Sequence, residues 1–241
     1  ATQFDEEKYF ATIQNTLFMD ELLTKHSTVM DRYDLQKRVG LMVDEWGIWT
    51  DVEPGTNPGF LYQQNTLRDA ILAAVNLNIF NAHCDRVKMT NIAQTVNVLQ
   101  AVILTDGEKM LLTPTYWVYY LYKVHQDATL LPVSLTSGKY ELNGRNMDAV
   151  NVSASKDAAG KIHLTLVNID ANKAQTVETE LRGATAKKVS GKILTSAKIN
   201  DHNTFENPNT VAVKDFKDAK LSGGKLNITL PAKSVVMLEI E

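Results

Sequence analysis

Residues 41–49 are Leu41-Met42-Val43-Asp44-Glu45-Trp46-Gly47-Ile48-Trp49, an apolar run that ends in two carboxylates and two indoles. A continuous apolar run of this kind is typical of a buried parallel β-strand. Because ionisable groups are costly to bury, carboxylates at the end of such a strand are more often functional than incidental. Side chains alternate along a strand, so we expect Leu41, Val43 and Glu45 to share one face. If that face lines a barrel, Glu45 points into the mouth, where barrel enzymes hold their active sites.

The composition excludes several classes of function. The chain has 241 residues, a formal net charge of -3 and a single cysteine, Cys84. It has no basic tract, which argues against nucleic acid and anionic membrane surfaces as partners, and no apolar stretch long enough to span a bilayer. One cysteine excludes an internal disulfide framework, and the histidines show no metal-ligand spacing, so we expect no metal and no cofactor. A cytoplasmic, periplasmic or secreted location all fit this composition.

The first part of the chain alternates between helical and strand patterns. The spacing of apolar residues predicts the segments in this order: a helix over 5–33, a strand over 38–46, a helix over 66–84, a strand over 87–93, an apolar segment over 96–104, and a helix that begins at Thr113-Pro114. The order α-β-α-β-α favours an α/β fold with parallel strands. Two strands and three helices cannot close a barrel, which needs roughly 250 residues, so this part resembles the end of a larger α/β domain.

After Pro132 the pattern becomes all-β. Residues 162–168 and 225–230 alternate with period two, and 232–240 are β-branched and apolar. Turn residues separate these runs at Ala159-Gly160, Arg182-Gly183 and Ser222-Gly223-Gly224. Short strands at this spacing predict an antiparallel β-sandwich. We therefore divide the chain into an α/β domain, 1–133, and a β-sandwich domain, 134–241.

Several segments resemble one family of enzymes. Residues 44–49, Asp-Glu-Trp-Gly-Ile-Trp, resemble the nucleophile segment of the family 51 glycoside hydrolases, the α-L-arabinofuranosidases. The resemblance continues, in order, through residues 55–70 (GTNPGFLYQQNTLRDA), 85–98 (DRVKMTNIAQTVNV), 112–116 (LTPTY) and 201–208 (DHNTFENP). The matching segments span nearly the whole chain.

This resemblance implies a retaining glycosidase built from a (β/α)8 barrel and a C-terminal β-sandwich. The chain would supply barrel strands seven and eight with their helices, followed by the sandwich. Glu45 would be the nucleophile at the end of strand seven, and Trp49 would line the arabinose site. Gln94, just past strand eight, would hydrogen-bond the sugar or the nucleophile. The substrate would be an arabinose-containing oligo- or polysaccharide.

One part of the family pattern is absent. In this family the general acid/base is a Glu in an Asn-Glu pair on barrel strand four, and the chain has no counterpart of that strand. Retaining hydrolysis requires two carboxyl groups about 5–5.5 Å apart. Strand eight ends in amides, and the loop acids Asp51 and Glu53 are poor substitutes for a rigidly placed acid. We therefore expect the chain to carry the nucleophile without its partner and to be inactive alone.

Other interpretations follow from the same residues. A non-catalytic module that binds carbohydrate or mediates assembly is the alternative to an enzyme. An incomplete barrel exposes strand edges, so we expect a homo-oligomer or pairing with the missing N-terminal barrel portion. Trp46 fits either core packing or a sugar site. We expect Cys84 to be a small buried apolar group rather than a nucleophile, and the aromatic segment 116–122 to pack as a helix rather than bind sugar.

Overall fold

The computed structural model describes residues 1–222 and 225–241; the turn predicted at Gly223-Gly224 lies outside these residues. The first part contains the following helices and strands: α1 (Glu6–Thr16), α2 (Phe18–Asp31), β1 (Leu41–Trp46), α3 (Leu67–Ala82), β2 (Val87–Ile92), β3 (Ile103–Asp106), β4 (Lys109–Leu112) and α4 (Pro114–Tyr122). The strand predicted over 38–46 and the helices predicted over 66–84 and from Thr113 are confirmed. The single helix expected over 5–33 is wrong, because it divides at Leu17 into α1 and α2.

Side chains at the helix starts explain where the helices begin. Asp5 precedes α1, and its carboxylate accepts a hydrogen bond from the Lys8 amide at 2.9 Å. Asp69 in the first turn of α3 accepts from both the backbone amide and the hydroxyl of Thr66. Thr113 caps α4 and Pro114 takes its first position, as the sequence predicts.

β1 and β2 form a parallel pair in which Val43 lies opposite Thr90. The register is irregular between Val43 and Trp46, and this irregularity interrupts the alternation of side chains. Leu41, Val43 and the buried Trp46 all pack against the core formed with α1 and α3, whereas Glu45 is exposed. The expectation that Glu45 shares a face with Leu41 and Val43 is therefore wrong.

The second part is antiparallel. Its strands are β5 (Thr129–Leu130), β6 (Lys139–Leu142), β7 (Arg145–Asp148), β8 (Val150–Lys156), β9 (Ile162–Asn168), β10 (Gln175–Glu180), β11 (Val189–Thr195), β12 (Lys214–Phe216), β13 (Ala219–Ser222), β14 (Lys225–Leu230) and β15 (Ser234–Ile240). A six-stranded sheet has the order β12-β11-β15-β9-β8-β5, and a three-stranded sheet has the order β10-β14-β13. Leu166 and Leu238 of the larger sheet share a core with Leu226 and Ile228 of the smaller one. These two sheets form the predicted sandwich.

The helices pack on the outer face of the larger sheet, so the two parts of the chain share a core. Tyr9 of α1 and Ile71 of α3 belong to the same buried cluster as Val167 of β9 and Val235 of β15. The Tyr9 hydroxyl also donates to the Ile169 carbonyl at 2.8 Å. This shared core fixes the ends of β1 and β2 relative to the sandwich.

A buried polar network joins the segment after α4 to the larger sheet. The His125 ring nitrogens lie 2.7 Å from the Ser155 hydroxyl and 3.0 Å from the Thr165 hydroxyl. Thr165 donates in turn to Asn78 of α3 at 2.8 Å, and the Tyr122 hydroxyl lies 2.8 Å from the same amide oxygen. The Thr165 hydroxyl donates its proton to Asn78, so it accepts a hydrogen bond from the His125 ring. This arrangement fits a neutral imidazole.

Acidification should weaken the fold through His125. Burial lowers the pKa of His125 to about 4, and the nearby His163 adds to the effect. The pKa of this histidine is lower in the folded chain than in the unfolded chain, so protonation favours the unfolded chain. The contribution to stability is therefore complete above about pH 6.5 and is lost as the pH falls toward 4. We expect His125 to account for a loss of up to about 3 kcal/mol in the free energy of unfolding across this range. Urea unfolding of the wild type and of His125→Gln, at pH 7 and pH 4.5, measures the difference; equal pH dependence in the two proteins would contradict this role.

Candidate active site at the ends of the parallel strands

The parallel pairing of β1 and β2 brings the residues that follow each strand to one edge. The Ala93 amide donates to the Trp46 carbonyl at 2.9 Å, so Glu45 and Gln94 lie at the ends of adjacent strands. In parallel α/β folds this edge is the usual place for a ligand site. Glu45 and Gln94 are both exposed there. Glu45 and Gln94 therefore lie at the carboxyl ends of two adjacent parallel strands.

Two buried glutamines hold the segment after β1. The Gln100 side chain accepts from the Ile48 amide at 2.9 Å and donates to the Asp69 carbonyl at 2.8 Å. Gln63 accepts from the Thr50 amide at 2.9 Å and donates to the Ile48 carbonyl at 3.1 Å. Sequence analysis missed both roles, because glutamine is usually exposed and no motif marks these two as buried.

Gly47 makes this arrangement possible. Its φ of +133° is rarely adopted by residues with a side chain, and a Cβ there would lie 3.0 Å from the Gln100 side-chain oxygen. The backbone can therefore turn directly from Trp46 toward Trp49. Trp49 emerges from this fixed segment with 69 % of its surface exposed.

Trp46 and Trp49 have different surroundings. Trp46 is buried and packs edge-on against Phe80 of α3, with ring centroids 5.1 Å apart. Of the two interpretations of Trp46, the structure favours core packing. Trp49 remains available to a ligand.

Glu45 and Trp49 line a common cavity of about 630 Å³ between β1 and the helices α1 and α2, which we call the α1–β1 cavity. Among the residues that the structure describes, Glu45 is the only acidic residue that lines it. Gln94 lines a different cavity, of about 810 Å³, beside the β3–β4 hairpin. The structure thus brings Glu45 and Trp49 together and places Gln94 in a cavity that shares no lining residue with theirs.

The α1–β1 cavity also contains buried polar atoms without partners. Trp46, Arg68 and Asn76 line it, and each is at least nine-tenths buried. The Trp46 ring N–H, the Arg68 Nε and the Asn76 side-chain oxygen have no hydrogen-bond partner in the described part of the chain. Buried polar atoms without a protein partner are uncommon, and these three belong to residues that line one cavity.

The other acids near β1 are placed elsewhere. Asp44 and Asp51 are exposed. The Glu53 carboxylate accepts a hydrogen bond from the Gln64 amide at 3.0 Å, and this bond stabilises the loop between β1 and α3. None of the three lines the cavity that contains Glu45.

The His83-Cys84-Asp85 segment does not form a nucleophile system. His83 lies 2.7 Å from the Asp20 carboxylate, and Asp85 pairs with Lys37, which lowers the pKa of Asp85. The expectation that Cys84 is buried is wrong: it is exposed, because α3 ends at Ala82 and Cys84 falls in the turn before β2.

Within residues 1–222 and 225–241 we find no group of three His, Cys, Asp or Glu residues that could hold a metal ion. Over the same residues, none of the helices combines the length and apolar character needed to cross a bilayer.

Comparison with known proteins identifies similar sequences. Residues 44–234 match the family described as the alpha-L-arabinofuranosidase C-terminal domain. An intracellular exo-alpha-L-arabinofuranosidase of Bacteroides ovatus is 49% identical over 242 residues, which cover 100% of this chain and 47% of that protein. A probable alpha-L-arabinofuranosidase C of Aspergillus flavus is 30% identical over 160 residues, which cover 63% of this chain and 31% of that protein.

Solved structures show the same similarity. The GH51 arabinofuranosidase from Xanthomonas axonopodis pv. citri superposes with a TM-score of 0.98 at 50% identity, covering 99% of this chain and 48% of that one. An alpha-L-arabinofuranosidase from Thermotoga maritima superposes with a TM-score of 0.83 at 24% identity, covering 99% of this chain and 51% of that one, a likeness of fold. The chain therefore spans about half the length of the relatives it matches most fully.

Proposed function

Because the chain belongs to the alpha-L-arabinofuranosidase C-terminal domain family, we propose that it is the C-terminal portion of a retaining α-L-arabinofuranosidase. Its substrates are terminal α-L-arabinofuranosyl residues of arabinan or arabinoxylan. Residues 1–133 contribute strands seven and eight of a (β/α)8 barrel, and residues 134–241 form the sandwich domain. The observation that supports this most directly is that Glu45 and Trp49 line one cavity at the end of a parallel strand.

The proposed reaction is a double displacement. Glu45 attacks the anomeric carbon, and the bond to the leaving oxygen breaks as a second carboxylic acid donates its proton to that oxygen. Water then attacks the anomeric carbon while the second group takes its proton, which breaks the bond to Glu45 and releases arabinose. Trp49 forms a wall of the arabinose site, and Gln94 hydrogen-bonds the sugar or Glu45. No other acid of this chain lines the cavity with Glu45 among the described residues, which supports a general acid/base that comes from outside it.

The partner that completes the site is, in this proposal, an N-terminal barrel portion of the same protein. Among the described strands, β1 pairs with β2 alone, so its other edge has unpaired backbone groups. Met42 and Met89, on adjacent strands, are each 47 % exposed. A further strand along β1 would supply hydrogen bonds to this edge, and the interior of a complete barrel would cover the methionines on the sheet face. The same exposed edge favours a homo-oligomer as a second mode of assembly.

Hydrolysis by residues 1–241 alone tests this proposal. We expect the chain to cleave 4-nitrophenyl α-L-arabinofuranoside at least about a hundredfold more slowly than a protein that includes the N-terminal portion, because a general acid/base contributes about 10²–10⁴-fold. The rate of 4-nitrophenol release measures both proteins.

Two results would contradict the proposal in different ways. If the chain alone hydrolyses the compound and Glu45→Gln abolishes this activity, an acid of this chain, such as Asp51 or Glu53, serves as the proton donor. Calorimetric binding of arabinan without turnover by either protein would instead favour a carbohydrate-binding module.

A further inference from the structure

The Trp49 ring receives little support from the side chains around it. It is mostly exposed, and it belongs to none of the hydrophobic clusters among the described residues. The neighbouring Ile48, in contrast, packs against the core. The direction in which the indole points therefore depends on the backbone of residues 47–50, which we call the Trp49 segment.

Two glutamine side chains bond the residues on either side of Trp49. Gln100 accepts from the Ile48 amide at 2.9 Å. Gln63 donates to the Ile48 carbonyl at 3.1 Å and accepts from the Thr50 amide at 2.9 Å. Both glutamines are buried, so water does not compete for these bonds. A glutamine amide suits this position, because it donates and accepts at the same time.

The two glutamines are themselves joined to other elements. Gln100 donates to the carbonyl of Asp69, in the first turn of α3, at 2.8 Å. Asn65, which lies between Gln63 and α3, is buried, and its side chain donates to the Ala101 carbonyl at 3.2 Å. This bond joins the two loops that carry the glutamines. The Trp49 segment is therefore connected to the start of α3 by buried hydrogen bonds.

The second part of the chain fixes the start of α3. The first two amides of this helix, those of Leu67 and Arg68, donate to the carbonyls of Asp201 and Ile199 at 2.9 Å and 3.0 Å. Both carbonyls belong to the loop after β11. The first amides of a helix have no partner within the helix, so this loop supplies what they lack. The carbonyl to which Gln100 donates thus has a fixed position relative to both parts of the chain.

We propose that Gln63 and Gln100 are positioning residues for the arabinose site, which hold the Trp49 segment so that the indole forms a wall beside Glu45. The inference rests on the proposed function, which makes Trp49 part of that site. Neither glutamine lines the cavity that contains Glu45 and Trp49, so both act through the backbone and not by touching the sugar. Supports of this kind are important, because a displacement of about 1 Å can lower a rate by about a hundredfold.

Steady-state hydrolysis of 4-nitrophenyl α-L-arabinofuranoside by the full-length protein tests this role. Gln100→Met keeps the length of the side chain and removes both hydrogen bonds. We expect it to raise KM by about tenfold and to change kcat by less than about threefold, because Trp49 binds the sugar without touching the reacting bond. In a protein with Trp49→Ala, the same substitution should leave KM within about twofold, since the group that it positions is gone. Gln63→Met should behave in the same way.

Asn168→Leu is the matched control for a loss of stability. Asn168 is a buried amide that bonds three backbone carbonyls and one backbone amide in the second part of the chain. It does not line the cavity that contains Glu45. Its loss should lower the unfolding midpoint and leave KM unchanged, because a partly unfolded sample contains fewer active molecules of the same affinity. A rise in KM is therefore a result that lower stability alone does not produce.

Hydrogen–deuterium exchange over residues 46–52 gives a measurement that does not require activity. Gln100→Met frees the Ile48 amide and Gln63→Met frees the Thr50 amide, so exchange in this segment should be at least about tenfold faster in each variant. Unchanged exchange would overturn the inference, and so would a rise in KM that persists with Trp49→Ala. Faster exchange with an unchanged KM would also overturn it, because the segment would then move without any effect on the sugar.

A failure of the proposed function would give a different result. The parent protein would release no 4-nitrophenol, or it would keep its activity with Glu45→Gln. In that case the exchange measurement still decides whether the two glutamines hold the Trp49 segment.

Discussion

Replacing Glu45 by Gln in the full-length protein is expected to lower kcat for 4-nitrophenyl α-L-arabinofuranoside by at least about ten-thousand-fold. The two side chains have nearly the same shape, but an amide cannot attack the anomeric carbon to form the glycosyl intermediate. Glu45 is exposed at the end of β1 and packs in no core, so the substitution should leave the fold intact. Equal unfolding midpoints for the two proteins would verify this, and the rate of 4-nitrophenol release gives the effect.

Two further variants separate a nucleophile from a carboxylate that only shapes the site. Asp51→Asn removes a nearby exposed acid that does not line the α1–β1 cavity, and it should change kcat by less than about twofold. Glu45→Ala leaves space where an added anion such as azide can attack the same carbon, so azide should restore turnover and yield an arabinosyl azide. If Glu45→Gln keeps more than a tenth of the activity, or azide has no effect on Glu45→Ala, Glu45 is not the nucleophile.

The position of Glu45 in the fold could be predicted only in part from the sequence. The apolar run before Asp44 predicts a buried parallel strand. β1 is a strand and pairs in parallel with β2, but the prediction of burial is wrong, because Trp46 is the only buried residue of β1 and Met42 is exposed. The face on which Glu45 lies could not be predicted. The register shift between Val43 and Trp46 depends on how β1 meets β2, and no local residue pattern specifies it.

The β3–β4 hairpin, which forms one wall of the cavity lined by Gln94, shows a different limit of prediction from sequence. A two-residue connection that begins with glycine is typical of a hairpin, and Gly107-Glu108 is such a connection, with Asp106 opposite Lys109 and Gly107 at a φ of 57°. The sequence analysis missed this signal within the segment after β2. The buried positions of Gln63 and Gln100, in contrast, depend on which backbone groups the tertiary fold brings near them. Sequence alone carries no information about that.

Division of the chain by pattern also misses how its parts are joined. The change from alternating helices and strands to short strands is evident after Pro132, and strands 162–168 and 225–230 match the prediction. The larger sheet, however, buries one face against the smaller sheet and the other against α1 and α3. Residues such as Val167 and Val235 belong to the core with the helices. The sequence pattern of a strand buried on both faces predicts that another element covers each face, but it does not specify which element.

Arg86 provides the largest expected effect on stability. Its side chain has no exposed surface and bonds four groups: the carboxylates of Asp31 and Asp34 and the backbone carbonyls of Asp34 and Val39. The backbone carbonyl of Arg86 also accepts from the Leu41 amide at 2.8 Å, at the start of β1. One guanidinium therefore joins the end of α2, the start of β1 and the start of β2, which sets the position from which β1 runs toward Glu45.

Arg86→Met should lower the unfolding midpoint of the full-length protein by about 10 °C, since removing one partner of a buried ion pair leaves the other charge uncompensated. Arg38→Met is the matched control: Arg38 lies 3.9 Å from the same Asp34 carboxylate, but 80% of its side chain is exposed, so its loss should shift the midpoint by less than about 2 °C. Adding Asp34→Asn to Arg86→Met removes one unpaired charge and should recover part of the loss. Thermal unfolding followed by circular dichroism measures all four proteins. Equal shifts for Arg86→Met and Arg38→Met would mean that burial of Arg86 adds nothing, and that β1 is positioned by its pairing with β2 alone.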